Sequence, residues 1–579
     1  MIAQVVFDLP LEGSFDYVIP PSLENRVSPG MRVEVTLGFR KSIGLVTSVM
    51  PQSQFDNLKM IRSLIDQAPL LDAAQLELGK QMSDYYGCSL GDALFTIVRS
   101  CEKEVLPAAV TKGATALPRL ELVASGNYET VLRDIMVPYA QAKQRVLVLV
   151  ADQFALSSIG RLLAKSFTAD QYVIGMRSSV FRSLADIRLV VMIDEDNSSF
   201  KQEQTPMYET RDVLLMRAQR ESVEVVFVGA TPSVELMYLV KQNKVTLHQS
   251  LPAEKLVKPQ IVDLNNYKIM VKGLLSPAML SALESNLSKK LKTILVFNHR
   301  GSYAMTRCTE CGFVLKCQRC ESPVGYSRIK KEYLCRYCSF HLPGDTQCPT
   351  CHKPSWKSFG LGVEQLQKAI QDKYPLAKVY SAERGSEEIK ADFDILIGTS
   401  VLMRLRHRVK VDLLVFLDMD SELNRLDMRS CFRAWSMVGH FRGMTKGQLL
   451  IQTRQPEHYV MKSLGEDRAE LFYQEDMRIR RELEFAPFAH QVTVYLRGKE
   501  PALVDKIAQE LYQALAKRIS SGIKVNLPQT EIVTHKRGQY RLNILVQGAD
   551  VIVMIAQIKQ AMTQIKRRAK VIITINVDA

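Results

Sequence analysis

Eight of the eleven cysteines fall in four C-x-x-C pairs within one short stretch: Cys308/Cys311, Cys317/Cys320, Cys335/Cys338 and Cys348/Cys351. That spacing presents two thiolates to one metal on a tight turn, and two such turns complete a tetrahedral four-sulfur site. Four turns predict two zinc ions. A catalytic zinc keeps a ligand position open, whereas this even count closes both shells, so both ions are expected to be structural. The disulfide alternative needs an oxidising compartment. No basic segment leading into an apolar run with a small-residue cleavage site opens the chain, and a cytoplasmic location is expected. Gly312, Gly325, Pro343, Gly344 and Pro349 suit loops too short to hold together without metal. Cys88, Cys101 and Cys431 stand singly and read as small buried hydrophobes.

The elements around this cluster form several domains, as 579 residues allow. Residues 1–100 open with β-type runs, Ala3 to Phe7, Arg32 to Val35 and Ser42 to Val49, split by turn signals at Pro20-Pro21 and Pro29-Gly30. A helical pattern from Asp72 to Tyr86 follows, predicting a small β-rich domain with a helical end. Residues 101–117 read as a linker. Between 118 and 250, Val146 to Val150, Leu189 to Ile193 and Val223 to Val228 are continuous β-branched runs alternating with helical stretches, which predicts a parallel sheet covered on both faces. Residues 251–304 begin a second such lobe, interrupted by the cysteine module at 305–355 and resumed over 356–475. Its strands are expected at Thr293 to Phe297, Lys378 to Tyr380, Ile395 to Ile397, Leu413 to Leu417 and Gln448 to Ile451. Residues 476–579 read as a separate α+β domain. The fold class expected is therefore multidomain α/β: two α/β lobes flanking an inserted two-zinc module, with small domains at either end. Seventy-six Lys and Arg against 61 Asp and Glu give +15, the charge of either a solubility surplus or a polyanion-binding surface. No run of about 18 uncharged apolar residues occurs, so no membrane partner is expected.

Two α/β lobes in one chain resemble the motor core of helicases. Asp194-Glu195-Asp196-Asn197 follows an apolar strand where such motors keep a D-E-x-x box, and Gly229-Ala230-Thr231-Pro232-Ser233 is similar to their S-A-T-P motif. Asn298-His299-Arg300-Gly301 leads into the first cysteine pair, and Gly360-Leu361-Gly362-Val363-Glu364 follows the last. With two four-cysteine sites inserted between these elements, the chain resembles the primosomal protein N′ (PriA) family of replication restart helicases over nearly its whole length. The resemblance implies RecA-like lobes and a crossed zinc pairing. Cys308, Cys311, Cys348 and Cys351 would hold one ion, and Cys317, Cys320, Cys335 and Cys338 the other.

Gly13-Ser14-Phe15-Asp16-Tyr17 is similar to that family's domain for the 3′ end of a nascent strand, and Gly38 and Lys59 border the implied pocket. An aromatic can stack on a terminal base, a carboxylate can accept from a 3′ hydroxyl, and a lysine can meet phosphate. Ser198 to Gln202, with Tyr208 and Arg211-Asp212, resembles an aromatic-rich loop that couples DNA contact to the motor. Phe485 to Phe488 and Arg537 to Arg541 are also similar to the family. Implied partners are branched or single-stranded DNA, single-stranded DNA-binding protein, and primosome or helicase-loading proteins.

Departures from the family bear on activity. A P-loop needs glycines to wrap phosphates, a lysine for the β and γ groups and a hydroxyl on magnesium. The matching stretch is Val123-Ala124-Ser125-Gly126-Asn127-Tyr128-Glu129-Thr130: Tyr128 stands at the lysine position and Glu129 at the hydroxyl position. Gly79-Lys80 and Gly498-Lys499, the only Gly-Lys dipeptides, precede Gln and Glu in no glycine-rich turn. In the second lobe, Met437 to Met444 matches the segment that supplies the family's arginines, with Phe441 and Met444 at the two arginine positions. Arg442 lies between them, turned by about 100° on a helix. Arg404-Leu405-Arg406-His407-Arg408 replaces K-G-H-D-F. ATP and magnesium are thus not expected as cofactors, and Asp194 and Glu195 read as a relic that helps the fold, although they could hold magnesium. Residues 101–117 are also too few for the family's winged helix, and the first lobe is shortened near Phe167 to Tyr172.

Three readings follow. The leading one is a replication restart protein that binds forked DNA with a free 3′ end and recruits replication machinery without ATPase or helicase activity. The others are an active ATP-dependent 3′–5′ helicase, and a zinc-stabilised regulatory protein that no longer touches DNA.

Overall fold

The computed structural model describes residues 1–101, 117–122, 128–249, 256–266, 274–297, 305–318, 324–327, 331–335, 340–359, 363–382, 392–406, 408–425, 427–536, 538–565 and 570–578. The linker over 102–116, Val123 to Asn127, Asn298 to Gly301, Cys320, Cys338, Gly360 to Gly362, His407 and Arg537 lie outside the described residues.

Period-two alternation builds the N-terminal sheet. Its six strands run in the order Lys59–Met60, Phe15–Val18, Ile2–Phe7, Arg40–Met50, Arg32–Leu37 and Ser63–Leu64. Ala3, Val5, Phe7, Tyr17, Val33, Val35 and Val46 meet in one core, and Val6 and Leu45 turn to the opposite face, where they join the core under the helices. Two helices follow. Ala73–Tyr86 starts at a reciprocal Asp72/Gln75 capping box and stops at left-handed Gly87, and Leu90–Cys101 packs beside it.

Each lobe is a parallel six-stranded sheet. The first runs Thr246–Gln249, Arg119–Leu122, Glu224–Gly229, Ile187–Ile193, Arg145–Leu149 and Tyr172–Gly175. The second runs Gln260–Asp263, Thr445–Thr453, Val411–Phe416, Thr293–Val296, Ile395–Gly398 and Val379–Ala382. Their continuous apolar runs split by parity between two cores. Leu189, Val191 and Ile193 face one and Val190 and Met192 the other; Leu295 and Phe297 face one and Ile294 and Val296 the other. Burial on both faces is what removes polar alternation from such strands.

The cysteine module hangs from the second lobe on the antiparallel pair Met305–Cys308 and Trp356–Phe359. At the C-terminal end a five-stranded antiparallel sheet carries the helices Pro501–Ala516 and Val551–Thr563 on one core. It does not stand apart. Its apolar residues share one cluster with the first lobe and the N-terminal helices, and Lys559 Nζ donates to the carbonyls of Ser83 and Cys88. Among the described residues no helix is long and apolar enough to cross a membrane.

Candidate functional site

Cys308, Cys311, Cys348 and Cys351 converge so that their four sulfurs lie within 4.8 Å of one another. Two turns of one design bring them there. In each C-x-x-C the amide after the second cysteine donates to the carbonyl of the first, Gly312 to Cys308 at 3.1 Å and His352 to Cys348 at 2.8 Å. Gly312 and His352 both take positive φ, 76° and 57°, which closes the turns. Sulfur separations of 3.5 Å for Cys308/Cys351 and Cys311/Cys348 fit four thiolates around one ion, whose tetrahedral edge is about 3.8 Å for a Zn–S bond near 2.3 Å. This grouping is the one implied by the family resemblance. Of the inner four, Cys317 and Cys335 are buried in the module's small core with Leu315, Val324 and Tyr333. Cys320 and Cys338 lie outside the described residues.

The four residues expected at a DNA 3′ end are gathered on the N-terminal sheet. Gln4 lies opposite Asp16, and Lys59 opposite Tyr17. The Lys59 ammonium donates to the Gly38 carbonyl at 2.5 Å, and Gly38 takes φ +56° at the hairpin tip. Asp16 points away from the core and already accepts from a hydroxyl, Ser53 Oγ at 2.5 Å, and from Gln4 Nε2 at 3.4 Å. An ionised carboxylate has about four acceptor positions, so room remains for another hydroxyl. Phe15 is placed differently from an open stacking ring: it is half-buried and meets Phe7 edge-on at 5.6 Å.

Between the lobes, the carboxylates of the Asp194 segment are occupied by the protein itself. Asp194 ends its strand at φ +51°, is 1% exposed, and accepts from the Tyr128 hydroxyl and from Arg406 Nη2, the latter at 2.5 Å from across the cleft. Arg406 Nη1 also meets His440 Nδ1 at 3.2 Å. A guanidinium only donates, so Nδ1 accepts and the imidazole proton sits on Nε2, facing Asp196 at 2.9 Å. Asp196 accepts further from Ser436 and from Thr231 Oγ1 at 3.2 Å. Glu195 takes the Ser233 amide at 2.6 Å and Arg211 Nη1 at 3.2 Å. Burial pushes its carboxyl up to about 7 against the pull of Arg211. Asp194, Asp196 and His440 have ligand atoms close enough for a cation, but Arg406 already places a positive charge on that carboxylate. Close packing seals the same seam: a Cβ added to Gly439 would meet Thr231 Cγ2 at 2.2 Å, and Tyr473 donates to the Pro232 carbonyl at 2.6 Å.

Glu129 pairs with Lys165 at 2.9 Å on the surface of the first lobe. Phe441 and Met444 are both 0% exposed, inside the second lobe's core. Arg442 is committed elsewhere, to Asp467 and the Val257 carbonyl. The segment expected to be a DNA-coupling loop is packed inside instead: Phe200, Tyr208 and Arg211 are buried, and Lys201 Nζ donates to the Val577 carbonyl of the C-terminal domain at 2.9 Å. Its aromatics fill a core rather than a DNA groove, because Phe181 meets Tyr208 edge-on at 4.8 Å and Thr210 closes the turn onto the Phe200 carbonyl.

Residues 4–99 match the model of the PriA 3′ DNA-binding domain (3′BD). Over most of its length the chain is similar to the replication restart protein PriA of Rickettsia conorii, 23% identical with 94% of each chain covered. That of Treponema pallidum is 24% identical, again with 94% of each covered. A solved structure of RecG bound to a three-way DNA junction shares 9% identity over 72% of this chain and 47% of that one, at a TM-score of 0.26.

Proposed function

We propose that this chain, which belongs to the PriA family of replication restart proteins and carries its 3′ DNA-binding domain, captures forked or branched DNA with a free 3′ end and recruits replication machinery without hydrolysing ATP. The single observation that carries the second half is the Arg406–Asp194 ion pair across the interlobe cleft, with the Tyr128 hydroxyl on the same carboxylate. In a working motor that acid holds magnesium, a lysine neutralises phosphate, and arginines from the second lobe stabilise the transferring charge. Here the acid is neutralised by protein, a phenol stands at the lysine position, and the arginine positions are core side chains. An arginine finger alone is worth roughly 10³ to 10⁵ in rate, so combined loss leaves hydrolysis negligible. The lobes then serve as a scaffold that fixes the small domains relative to one another.

Capture rests on Asp16 accepting the 3′ hydroxyl, Lys59 and the Gly38 turn meeting the terminal phosphate, and Phe15 shaping the floor. Basic surface elsewhere tracks the arms through phosphates, which makes affinity fall with salt. Two zinc ions, one on Cys308, Cys311, Cys348 and Cys351 and one on the inner four cysteines, hold the module as a surface for primosome or helicase-loading partners. Reduced thiols fit a cytoplasmic setting. The test is binding of the zinc-replete protein to a fork whose nascent strand ends in a 3′ hydroxyl or a 3′ phosphate. Tighter binding to the hydroxyl, abolished in Asp16→Ala, supports capture of the end; equal binding refutes it.

A further inference from the structure

Two phenylalanines that the 3′-end reading leaves unused stand in solvent beside its polar groups. Phe39 is fully exposed, at 105%, and Phe55 is 59% exposed. Leu37 pairs with Arg40 across the hairpin, so Gly38 and Phe39 form a two-residue turn. A Cβ on Gly38 would meet nothing within 4 Å; the glycine is needed for its φ of +56°, a turn-forming value that side chains resist, and not for space. The turn throws the next residue outward, and that residue is aromatic where hairpin tips ordinarily carry Asn, Asp or Gly. The Gly38 carbonyl is the one Lys59 holds at 2.5 Å. Phe55 is tied to the other polar group. Its amide donates to Ser53 Oγ at 3.0 Å, and that hydroxyl donates to Asp16 at 2.5 Å. Each exposed ring is therefore one short linkage from a group assigned to the DNA terminus.

Charge on the same surface points to nucleic acid as the occupant. Arg40, Lys41, Lys59 and Arg62 are all exposed around the turn, and Arg62 Nε is anchored on Thr36 Oγ1 at 2.8 Å on the strand that leads into it. Exposed aromatics among cations are the composition of a single-strand site, because every base offers a π-face while phosphates follow the cations. Phe15 cannot supply that surface alone, being half-buried with Phe7 against it.

We propose that Phe39 and Phe55 are stacking platforms for the unpaired bases at and next to the 3′ terminus. The chain would then bind a short frayed single-stranded end, independent of base identity. This rests on the 3′-end reading and moves its stacking surface from half-buried Phe15 to two exposed rings beside it.

The full-length protein is titrated by fluorescence anisotropy into labelled partial duplexes with a short oligothymidine 3′ tail. One set has intact terminal nucleotides, a second has the last two abasic, and a third ends in 3′ phosphate. Phe39→Ala is expected to weaken the intact tail by about 5- to 150-fold, the range of one lost base stack, and to leave the abasic tail unchanged. Phe55→Ala should do the same to a smaller degree, and Phe39→Trp should restore binding. Equal weakening of intact and abasic tails, or none, overturns the proposal; loss of partner-protein binding alone with DNA binding intact also overturns it and assigns the rings to a protein. If wild type ignores the 3′ phosphate, the underlying 3′-end reading fails; if wild type discriminates and the phenylalanine variants do not differ from it, only the stacking inference fails. Both rings lie outside the core, so alanine there leaves the fold intact.

Discussion

Removing Arg406 leaves the Asp194 carboxylate buried without its cross-cleft charge, and the cost is large enough to measure. At an N–O distance of 2.5 Å and an effective dielectric near 20, the Coulomb attraction is about 6 to 7 kcal/mol. Much of that repays desolvation of two nearly buried groups. Experience with such pairs puts the cost of deleting one partner at about 3 to 5 kcal/mol. Asp194→Asn should cost a comparable amount, because it strands the guanidinium. With both removed, in Asp194→Asn/Arg406→Met, neither charge is stranded, and the coupling recovered should exceed about 1.5 kcal/mol. A chain of several domains does not unfold in one step, so the readout is local opening. Native-state hydrogen exchange on Ile187–Ile193 and Val411–Phe416, one strand from each lobe, reports the interlobe seam. Single-variant costs below about 0.5 kcal/mol, adding independently in the double variant, would refute the claim that this pair joins the lobes.

Restoring the family residues in the first lobe, Tyr128→Lys with Glu129→Thr, should yield no DNA-stimulated ATPase, because the proposal also puts Phe441 and Met444, both core side chains, at the arginine positions; phosphate release is the assay. Cys308→Ser or Cys351→Ser should lower zinc content from two equivalents to one by metal analysis, and content well below two in the wild type would contradict the two-site reading. Raising salt from about 50 to 200 mM should weaken fork binding steeply, with a slope that falls by about one unit in Lys59→Ala, as phosphate neutralisation requires. The His490–Asp578 pair at 2.7 Å tethers the last strand. Burial alone would lower this imidazole's pKa, but Asp578 more than offsets it and holds it above the usual value. Its contribution is then full below about pH 6.5, the ordinary histidine value, and is lost as pH rises through the raised folded value. Hydrogen exchange on Val571–Val577 should show that loss in wild type and not in Asp578→Asn, and its size should stay within about 1 kcal/mol because the pair is partly exposed.

Parity of burial made the two parallel sheets legible: Leu189 to Ile193 and Thr293 to Phe297 carry no polar alternation because both faces are covered. The convergence of Cys308, Cys311, Cys348 and Cys351 was readable from C-x-x-C spacing plus resemblance, since a four-sulfur cluster needs paired cysteines on tight turns. Less legible was what fills the cleft. Tyr128 reads in the sequence as the wrong residue for a phosphate site, but its partnership with Asp194 joins positions 66 apart, and Arg406 lies 212 from that aspartate. No local pattern encodes such contacts. His440 and Ser436 could have been suspected, since they line the helix Ser430–Arg442 beside the expected arginine positions and polar residues on a buried face need partners. The Phe200–Tyr208 segment is ambiguous for the opposite reason: aromatics suited to bases suit a core equally, and only tertiary packing decides. Phe15 shows the same ambiguity, since strand alternation from Val5 opposite Phe15 turns it inward with Tyr17.

On the proposed function the protein is a DNA-binding scaffold whose interlobe cleft is held by its own side chains. The most direct test is steady-state ATP hydrolysis by the purified, zinc-replete protein with and without forked DNA, on preparations verified to bind the fork. Hydrolysis indistinguishable from the no-protein control, with binding intact, is the predicted result. DNA-stimulated turnover that is lost in Asp194→Asn would show that the cleft opens to take magnesium and nucleotide, and would contradict the account.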